Sequence, residues 1–248
     1  MKLSRNIKLA LLGIAVLAGV SGIKLSLQSL APEAVYRKDF IQEYLLAKAV
    51  IMGVNPYLQL PELAQRLAIE LPTGVFAHPT PHTPSLALLS LPLGFLKYEH
   101  AAGVQMIFQL GCLLASVILL LRWWRKIATP GTIAVVTLAA LGWRFVYEDL
   151  ALGQINLLLV LLMILAWLFL RDEKEIPAGI MLGGLLALKL AGLPIILFLL
   201  LRRKWLSVAM ATTTAIAFNL AAAAAMVAKA DKAEMAATAG CRPIFISM

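Results

Sequence analysis

Six long apolar runs dominate the sequence and limit the folds that it can adopt. They cover residues 9–23, 101–121, 127–146, 155–170, 177–201 and 206–227. An α-helix of about 20 apolar residues spans the hydrocarbon core of a bilayer, so runs of this length indicate membrane helices. Of the 248 residues, 61% are hydrophobic and 14% are charged, whereas soluble domains carry about 25% charged residues. We predict an all-α, polytopic transmembrane helical bundle with about five to seven spans.

The basic residues predict how the chain is oriented in the membrane. They cluster in the N-terminal head before residue 9, in RWWRK at 122–126 and in RRK at 202–204. Lys and Arg are enriched in short cytoplasmic loops, so these clusters are placed inside and residues 26–84 and 147–154 outside. The net charge of +9 therefore indicates contact with the lipid bilayer and not with nucleic acid. The first run is interpreted as an uncleaved signal anchor, since no clean A-x-A cleavage site follows it.

The domain organisation follows from the same runs. We predict one transmembrane domain over residues 1–228, with an external loop at about 26–84, and a poorly ordered tail at 229–248. The segment 86–96 is too short to cross the membrane and is predicted to be re-entrant. The run 177–201 is predicted to be a bent hairpin, because Gly192 and Pro194 interrupt the helix near Lys189.

The external loop is predicted to contain short amphipathic helices on the membrane surface. Residues 40–52, FIQEYLLAKAVIM, have apolar residues at helical spacing with Glu43 and Lys48 between them. Residues 61–72 are a second candidate. The proline-rich stretch HPTPHTP at 78–84 is predicted not to be helical.

Asp39 is the leading candidate for catalysis. A carboxylate just outside the membrane can take a proton from an incoming hydroxyl group and so act as a general base. The same residue directly precedes the predicted helix at 40–52, and Asp is a favoured N-cap. The residues alone leave both roles open.

Lys189 and two amides are further candidates for substrate binding. An ionisable side chain within an apolar membrane run indicates function, and a cation at a helix break can hold a phosphate, although Lys189 could also snorkel to the interface. Gln154 and Asn156 can hydrogen-bond a sugar, but amides also bond across packed helices. Nearby, Arg144, Glu148 and Asp149 are interpreted as a solvated interfacial cluster.

Metal binding is not predicted. His78 and His82 have the four-residue spacing of a helical zinc pair, but the intervening prolines exclude a helix and the HExxH glutamate is missing. His82 could still contact a substrate. Two cysteines, Cys112 and Cys241, form no disulfide framework.

Several segments, taken in order, resemble glycosyltransferase family 87. The run KDFIQEYLLAKAVIMGVNPY at 38–57 resembles the first external loop of that family. Three later segments agree with it: HPTPHTPSLALLSLPLGFL at 78–96, GQINLLLVLL at 153–162 and AGIMLGGLLALKLAGLPIILFLLLRRKW at 178–205. The resemblance covers about residues 39–205.

The resemblance implies a GT-C fold in the plasma membrane with its active site facing the extracytoplasmic side. It implies transfer of a hexose such as mannose, or of a pentose, from a polyprenyl-phosphate sugar donor to a glycan or glycolipid acceptor, with inversion and no cofactor. Asp39 matches the position of the catalytic base, and Lys189 is the candidate cation for the leaving phosphate, with Arg37 or Lys38 as alternatives. The expected substrate-binding residues are Lys189, Gln154, Asn156, Tyr44, Asn55, Tyr57, Arg37, Lys38 and His82.

One departure from the family is expected to matter. Family members usually continue with several further helices, whereas this chain continues with the alanine-rich stretch AAAAAMVAKADKAEMAATAG and then CRPIFISM. We expect a C-terminally truncated or frame-shifted product. A rival interpretation is a non-catalytic membrane protein that binds or transports a lipid-linked substrate.

Overall fold

The structure is a computed structural model that describes residues 4–71, 78–124 and 128–238. These residues form helices and no strand; the one isolated β-bridge joins Gln59 and Pro79. The α-helices are α1 (Arg5–Gln28), α2 (Pro32–Val35), α3 (Phe40–Met52), α4 (Leu60–Arg66), α5 (Pro84–Ser90), α6 (Tyr98–Trp123), α7 (Pro130–Leu141), α8 (Arg144–Leu152), α9 (Asn156–Arg171), α10 (Glu175–Leu188), α11 (Leu193–Leu201) and α12 (Trp205–Thr238). Two 3₁₀-helices cover Leu91–Phe95 and Leu190–Gly192. The predicted all-α membrane bundle is confirmed.

Fewer helices are long enough to cross a membrane than the apolar runs predict. In the described part of the chain, three qualify: Arg5–Gln28, Tyr98–Trp123 and Trp205–Lys229. A fourth span results if α7 and α8, which meet at a bend of 74°, count as one. The other apolar runs fold as helices of 10–17 residues, which at 1.5 Å per residue do not reach across about 30 Å of hydrocarbon.

The chain divides into two compact units. Unit one contains residues 1–40 and 102–173, and unit two contains residues 41–101 and 174–248. Helix α12 continues to Thr238, past the predicted domain boundary at residue 228. The single transmembrane domain and the separate tail stay predictions.

Unit one is held together by close packing of α1 on α7. A Cβ atom at Gly22 would lie 1.9 Å from the carbonyl oxygen of Leu141, and one at Gly19 would lie 2.6 Å from that of Leu138. Only glycine allows the two backbones to approach this closely, as in other membrane helix pairs. Its core includes Met106, Cys112, Leu113, Val117, Leu141, Leu150 and Leu157.

Unit two contains a second close helix pair, α10 with α12. Cβ atoms at Gly179 and Gly183 would lie 2.6 Å from the carbonyl oxygens of Ser207 and Ala211 respectively. The two glycines are four residues apart, so they lie on one face of α10. The pattern Gly-x-x-x-Gly therefore forms the contact with α12.

Helix α3 has the predicted bounds, but its environment differs from the predicted one. We expected an amphipathic helix on the membrane surface, yet Gln42 and Glu43 are only 7% and 3% exposed, and the apolar residues from Phe40 to Leu46 are buried as well. It is therefore a core helix. The second candidate, α4, is amphipathic: Leu60 and Leu63 are buried while Glu62 and Arg66 form an exposed ion pair. The predicted range of that second helix ends at residue 72, outside the described residues.

The predicted interruption of the run 177–201 is present. Helix α10 ends at Leu188, Lys189 is extended with φ −156° and ψ 135°, and α11 begins at Leu193. Pro194 lies in the first turn of α11, where the missing N–H costs no helical hydrogen bond. The described residues of the proline-rich stretch before α5 are likewise not helical.

Candidate active site

Four polar side chains in unit one form a connected hydrogen-bond chain, which we call the relay. Gln154 Nε2 donates to Asp39 Oδ2 at 2.7 Å. Asn156 Nδ2 donates to Gln154 Oε1 at 2.7 Å and also to Asp149 Oδ1. Two carboxylates that are 110 residues apart in sequence are thus joined through two amides.

A tight turn places the two amides. Helix α8 ends at Gly153, which has a left-handed conformation with φ +73°. The N–H groups of Gly153 and Gln154 return to the carbonyl oxygens of Leu150 and Asp149 at 3.2 and 3.1 Å, a common way to end a helix. A Cβ atom at position 153 would lie 2.7 Å from Phe40 Cβ, so glycine also allows the turn to lie against the residue that follows Asp39.

Lys38, one of the predicted substrate-binding residues, holds this turn through three hydrogen bonds. Its ammonium group donates to Ser29 Oγ at 2.6 Å, to the carbonyl oxygen of Ala151, and to that of Leu150 at 3.4 Å. The residue is only 2% exposed. A cation at the last carbonyl groups of α8 also interacts favourably with the negative end of the helix dipole. Burial lowers the pKa of Lys38 to about 8, so the charged form still dominates at neutral pH.

Asp39 is half-buried and directly precedes α3. The capping interpretation predicts a hydrogen bond from an N–H group in the first turn of that helix. The hydrogen bond that the structure shows on the Asp39 carboxylate comes from Gln154, a side chain of the α8–α9 turn. Arg37 lies on the same turn as Asp39, with its side chain exposed. This arrangement can hold a carboxylate in one orientation and still leave it accessible.

A cavity of about 360 Å³ lies beside the relay. Its lining comprises Trp143, Phe145, Val146, Glu148, Asp149, Leu152, Gln154, Asn156, Leu157 and Val160. Pockets for small organic ligands combine apolar and aromatic walls with a few placed polar groups. Aromatic rings together with carboxylates and amides suit a hydroxylated ring.

Asp149 was missed as a candidate. We interpreted it with Arg144 and Glu148 as a solvated cluster, and those two do form an exposed ion pair at 2.8 Å. Asp149, however, is only 8% exposed and is part of the relay. The spacing D-x-x-x-G-Q contained the signal, because a C-terminal Gly turns the chain back so that residue 154 meets residue 149.

Three other predicted residues, Tyr44, Asn55 and Tyr57, lie in unit two. Tyr44 is buried; its hydroxyl donates to the carbonyl oxygen of Leu96 at 2.8 Å. Burial, followed by the charge of Glu99, raises the pKa of Tyr44. The exposed Asn55 accepts a hydrogen bond from the backbone N–H of Tyr57 through Oδ1 at 3.0 Å, which shapes a local turn. In this structure Tyr44 therefore has a packing role and Asn55 a turn-forming role.

His82 lies beside a buried carboxylate in unit two. Its Nε2 atom is 3.9 Å from Glu43 Oε1, and its backbone carbonyl oxygen accepts a hydrogen bond from Tyr57 Oη at 3.4 Å. His78 contacts the carbonyl oxygen of Pro79 through Nδ1 at 2.9 Å. Over residues 4–71, 78–124 and 128–238, no group of three His, Cys, Asp or Glu side chains is arranged to hold a metal ion.

Lys189 is exposed at the helix break in unit two. The end of α10 just before it is fixed by hydrogen bonds to the carbonyl oxygen of Ala187, from Thr83 Oγ1 at 2.7 Å and from Ser85 Oγ at 3.0 Å. The structure thus places the predicted residues in two groups. Arg37, Lys38, Asp39, Gln154 and Asn156 belong to unit one, and Tyr44, Asn55, Tyr57, His82 and Lys189 belong to unit two.

The fold and the relay define a polytopic membrane protein with a candidate acid–base site. Residues 81–234, more than half of the chain, match glycosyltransferase family 87, and the chain belongs to that family. No curated protein and no solved structure gives a significant match. The protein is therefore a membrane glycosyltransferase that acts on a sugar donor and an acceptor. The matched region contains Asp149, Gln154 and Asn156, while Asp39 precedes it.

Proposed function

We propose that the protein transfers a sugar from a polyprenyl-phosphate donor to an extracytoplasmic glycan or glycolipid acceptor, with inversion at the anomeric carbon. Asp39 is the general base. The observation that carries this proposal is the hydrogen bond from Gln154 Nε2 to Asp39 Oδ2. It orients an accessible, half-buried carboxylate through one of its two oxygens.

The proposed reaction begins at the carboxylate that Gln154 orients. The carboxylate of Asp39 takes the proton of an acceptor hydroxyl group as the hydroxyl oxygen attacks the anomeric carbon of the donor. The bond between that carbon and the phosphate oxygen breaks, and polyprenyl phosphate leaves with the electron pair. Attack on the face opposite the leaving group inverts the configuration. The N–H group of Gln154 stabilises the carboxylate before proton transfer.

The leaving phosphate carries negative charge and requires a nearby cation. Arg37 is the candidate within unit one, because its side chain is exposed on the turn that contains Asp39. Lys189 is a second candidate for this cation, because it lies at a break in a membrane helix. Lys38 is not retained, since its ammonium donors point at protein oxygens.

The cavity beside the relay is the proposed site for a sugar ring. Gln154 and Asn156 line it and belong to the relay, so a ring bound there lies close to the residues that orient the base. Trp143 and Phe145, both more than half exposed, offer apolar ring faces. The extracytoplasmic orientation rests on the basic clusters at 122–126 and 202–204, and the plasma membrane location rests on the likeness to the family.

The experiment uses membranes that contain the full chain and a panel of radiolabelled polyprenyl-phosphate hexoses and pentoses. We expect transfer from at least one donor, and a loss of about 100-fold or more in Asp39→Asn, the range that general base catalysis contributes. The control is Asp172→Asn, which removes an exposed carboxylate at the end of α9 in the same unit. Full transfer by Asp39→Asn, or no transfer from any donor by the unmodified protein, contradicts the proposal.

A further inference from the structure

We propose that Asp149 is a positioning residue for the transfer reaction. It fixes the orientation of the amides of Asn156 and Gln154, so that Gln154 presents an N–H group and not an oxygen to Asp39. This inference rests on the proposed function, since it assigns a role to Asp149 through the base. The sequence-based interpretation had placed Asp149 in a solvated cluster and not in the site.

The hydrogen-bond polarity of the relay follows from the carboxylate at its end. An ionised carboxylate only accepts hydrogen bonds, so Asn156 must turn its NH₂ group towards Asp149. The second N–H of the same group donates to Gln154 Oε1. Because the side-chain oxygen of Gln154 faces Asn156, its NH₂ group faces Asp39, and Nε2 donates to Asp39 Oδ2 at 2.7 Å.

The reverse orientation is disfavoured at each step. With the amide of Asn156 reversed, its carbonyl oxygen would face the carboxylate of Asp149, which is 8% exposed and poorly screened by water. Gln154 could then also reverse, and its oxygen would face the oxygen of Asp39. Two acceptors at hydrogen-bond distance repel, so the base would move from its position.

The backbone around Asp149 supports the same arrangement. Its carbonyl oxygen accepts the N–H of Gln154 at 3.1 Å, so Asp149 contacts the turn through both its main chain and its side chain. On the next helix, the N–H of Leu158 donates to Oε1 of the buried Gln109 at 3.2 Å. The start of α9, and with it Asn156, is thereby held in place. The side chain of Asp149 therefore acts on amides whose backbone is already fixed.

Three substitutions at Asp149 test the positioning role. Asp149→Asn keeps the shape of the side chain but adds an NH₂ group, so the amide of Asn156 is free to reverse. Asp149→Glu keeps a carboxylate that only accepts and moves its oxygens by one methylene group. Asp149→Ala removes the carboxylate. We expect kcat to fall by about 10-fold or more for Asn and by about 100-fold for Glu and Ala, the cost of misplacing a catalytic group. KM for the labelled polyprenyl-phosphate donor should change less than 3-fold.

A double-substitution cycle tests the path of the effect. In an Asn156→Ala background, Asp149→Ala should change kcat by less than about 3-fold, because the residue through which it acts is missing. Asp172→Asn is the matched carboxylate control. Folding of each variant is checked by gel filtration and thermal unfolding in detergent.

The outcomes are distinct. An Asn variant or an Ala variant with kcat within about 3-fold of the unmodified protein overturns the positioning role. If the Glu and Ala variants do not fold, the Asn variant, which has nearly the same shape as the native residue, decides by the same criterion. Failure of the proposed function looks different, because Asp39→Asn then retains activity or the unmodified protein transfers nothing.

Discussion

Lys38 and Asp39 are neighbours in sequence with opposite charges and different tasks. The lysine is buried and donates a hydrogen bond to a carbonyl oxygen at the C-terminal end of α8. The aspartate is half-buried and accepts a hydrogen bond from Gln154, in the turn that follows α8. By binding the carbonyl oxygens at the end of α8, Lys38 brings the α8–α9 turn to Asp39. A structural cation thus stands directly beside the proposed base.

At the residue scale, we predict that Lys38→Met destabilises the protein by about 1.5–3 kcal/mol, the range for hydrogen bonds to a charged donor. Methionine fills a similar volume but cannot donate to the carbonyl oxygens of Leu150 and Ala151. Chemical unfolding in detergent, followed by tryptophan fluorescence, measures the loss. Arg37→Met is the control, because that side chain is exposed and its replacement should change stability by less than about 0.5 kcal/mol. Equal stability of the two variants would exclude the proposed anchoring role.

At the scale of elements, helix α3 shows how burial depends on neighbours. Its polar residues Gln42, Glu43 and Lys48 gave it an amphipathic pattern, but Gln42 and Glu43 are buried with the apolar residues. Polar side chains can be buried in a core when other polar groups there interact with them. Glu43 has such a neighbour, because His82 Nε2 lies 3.9 Å from its Oε1 atom. Periodicity predicted the helix itself correctly because local hydrogen bonds and side-chain spacing decide helix formation.

The contact of α10 with α12 gives the element-scale prediction. Gly183→Leu should cost about 1–3 kcal/mol or more, since overpacking of a closed interface forces the helices apart. The Cβ atom alone would lie 2.5 Å from Thr214 Cβ. Thermal unfolding in detergent measures the effect. The control is Gly111→Leu in α6, where a Cβ atom meets nothing within 4 Å. A Gly183→Leu variant as stable as this control would contradict the packing.

At the scale of the whole molecule, the clusters of basic residues predict sidedness. In a variant with Cys112 and Cys241 replaced by serine, Asn55→Cys should react with a membrane-impermeant maleimide on intact cells. Arg202→Cys should react only after permeabilisation, because the RRK segment is predicted to face the cytoplasm. Both native residues are exposed, so each new thiol is accessible to reagent on its own side. Labelling of Arg202→Cys on intact cells would reverse the proposed orientation.

Much of the architecture could be predicted because it is local. Apolar runs of sufficient length predict membrane helices, and Gly192 with Pro194 predicted the break at Lys189 that the structure contains. The candidate site was predictable only in part. Asp39, Gln154 and Asn156 were singled out separately, but their contact joins residues 115 positions apart, and no spacing rule predicts such a pair.

The sequence by itself determined the membrane class, the helix positions and the family, because hydropathy, helix breakers and ordered motifs are properties of consecutive residues. The tertiary structure alone decided which polar side chains meet. It made Lys38 an anchor for the end of α8, and it moved Asp149 from a supposed surface cluster into the relay. The physical reason is that burial and hydrogen-bond partners depend on residues brought together by folding, and these decide which charge is accessible to a substrate.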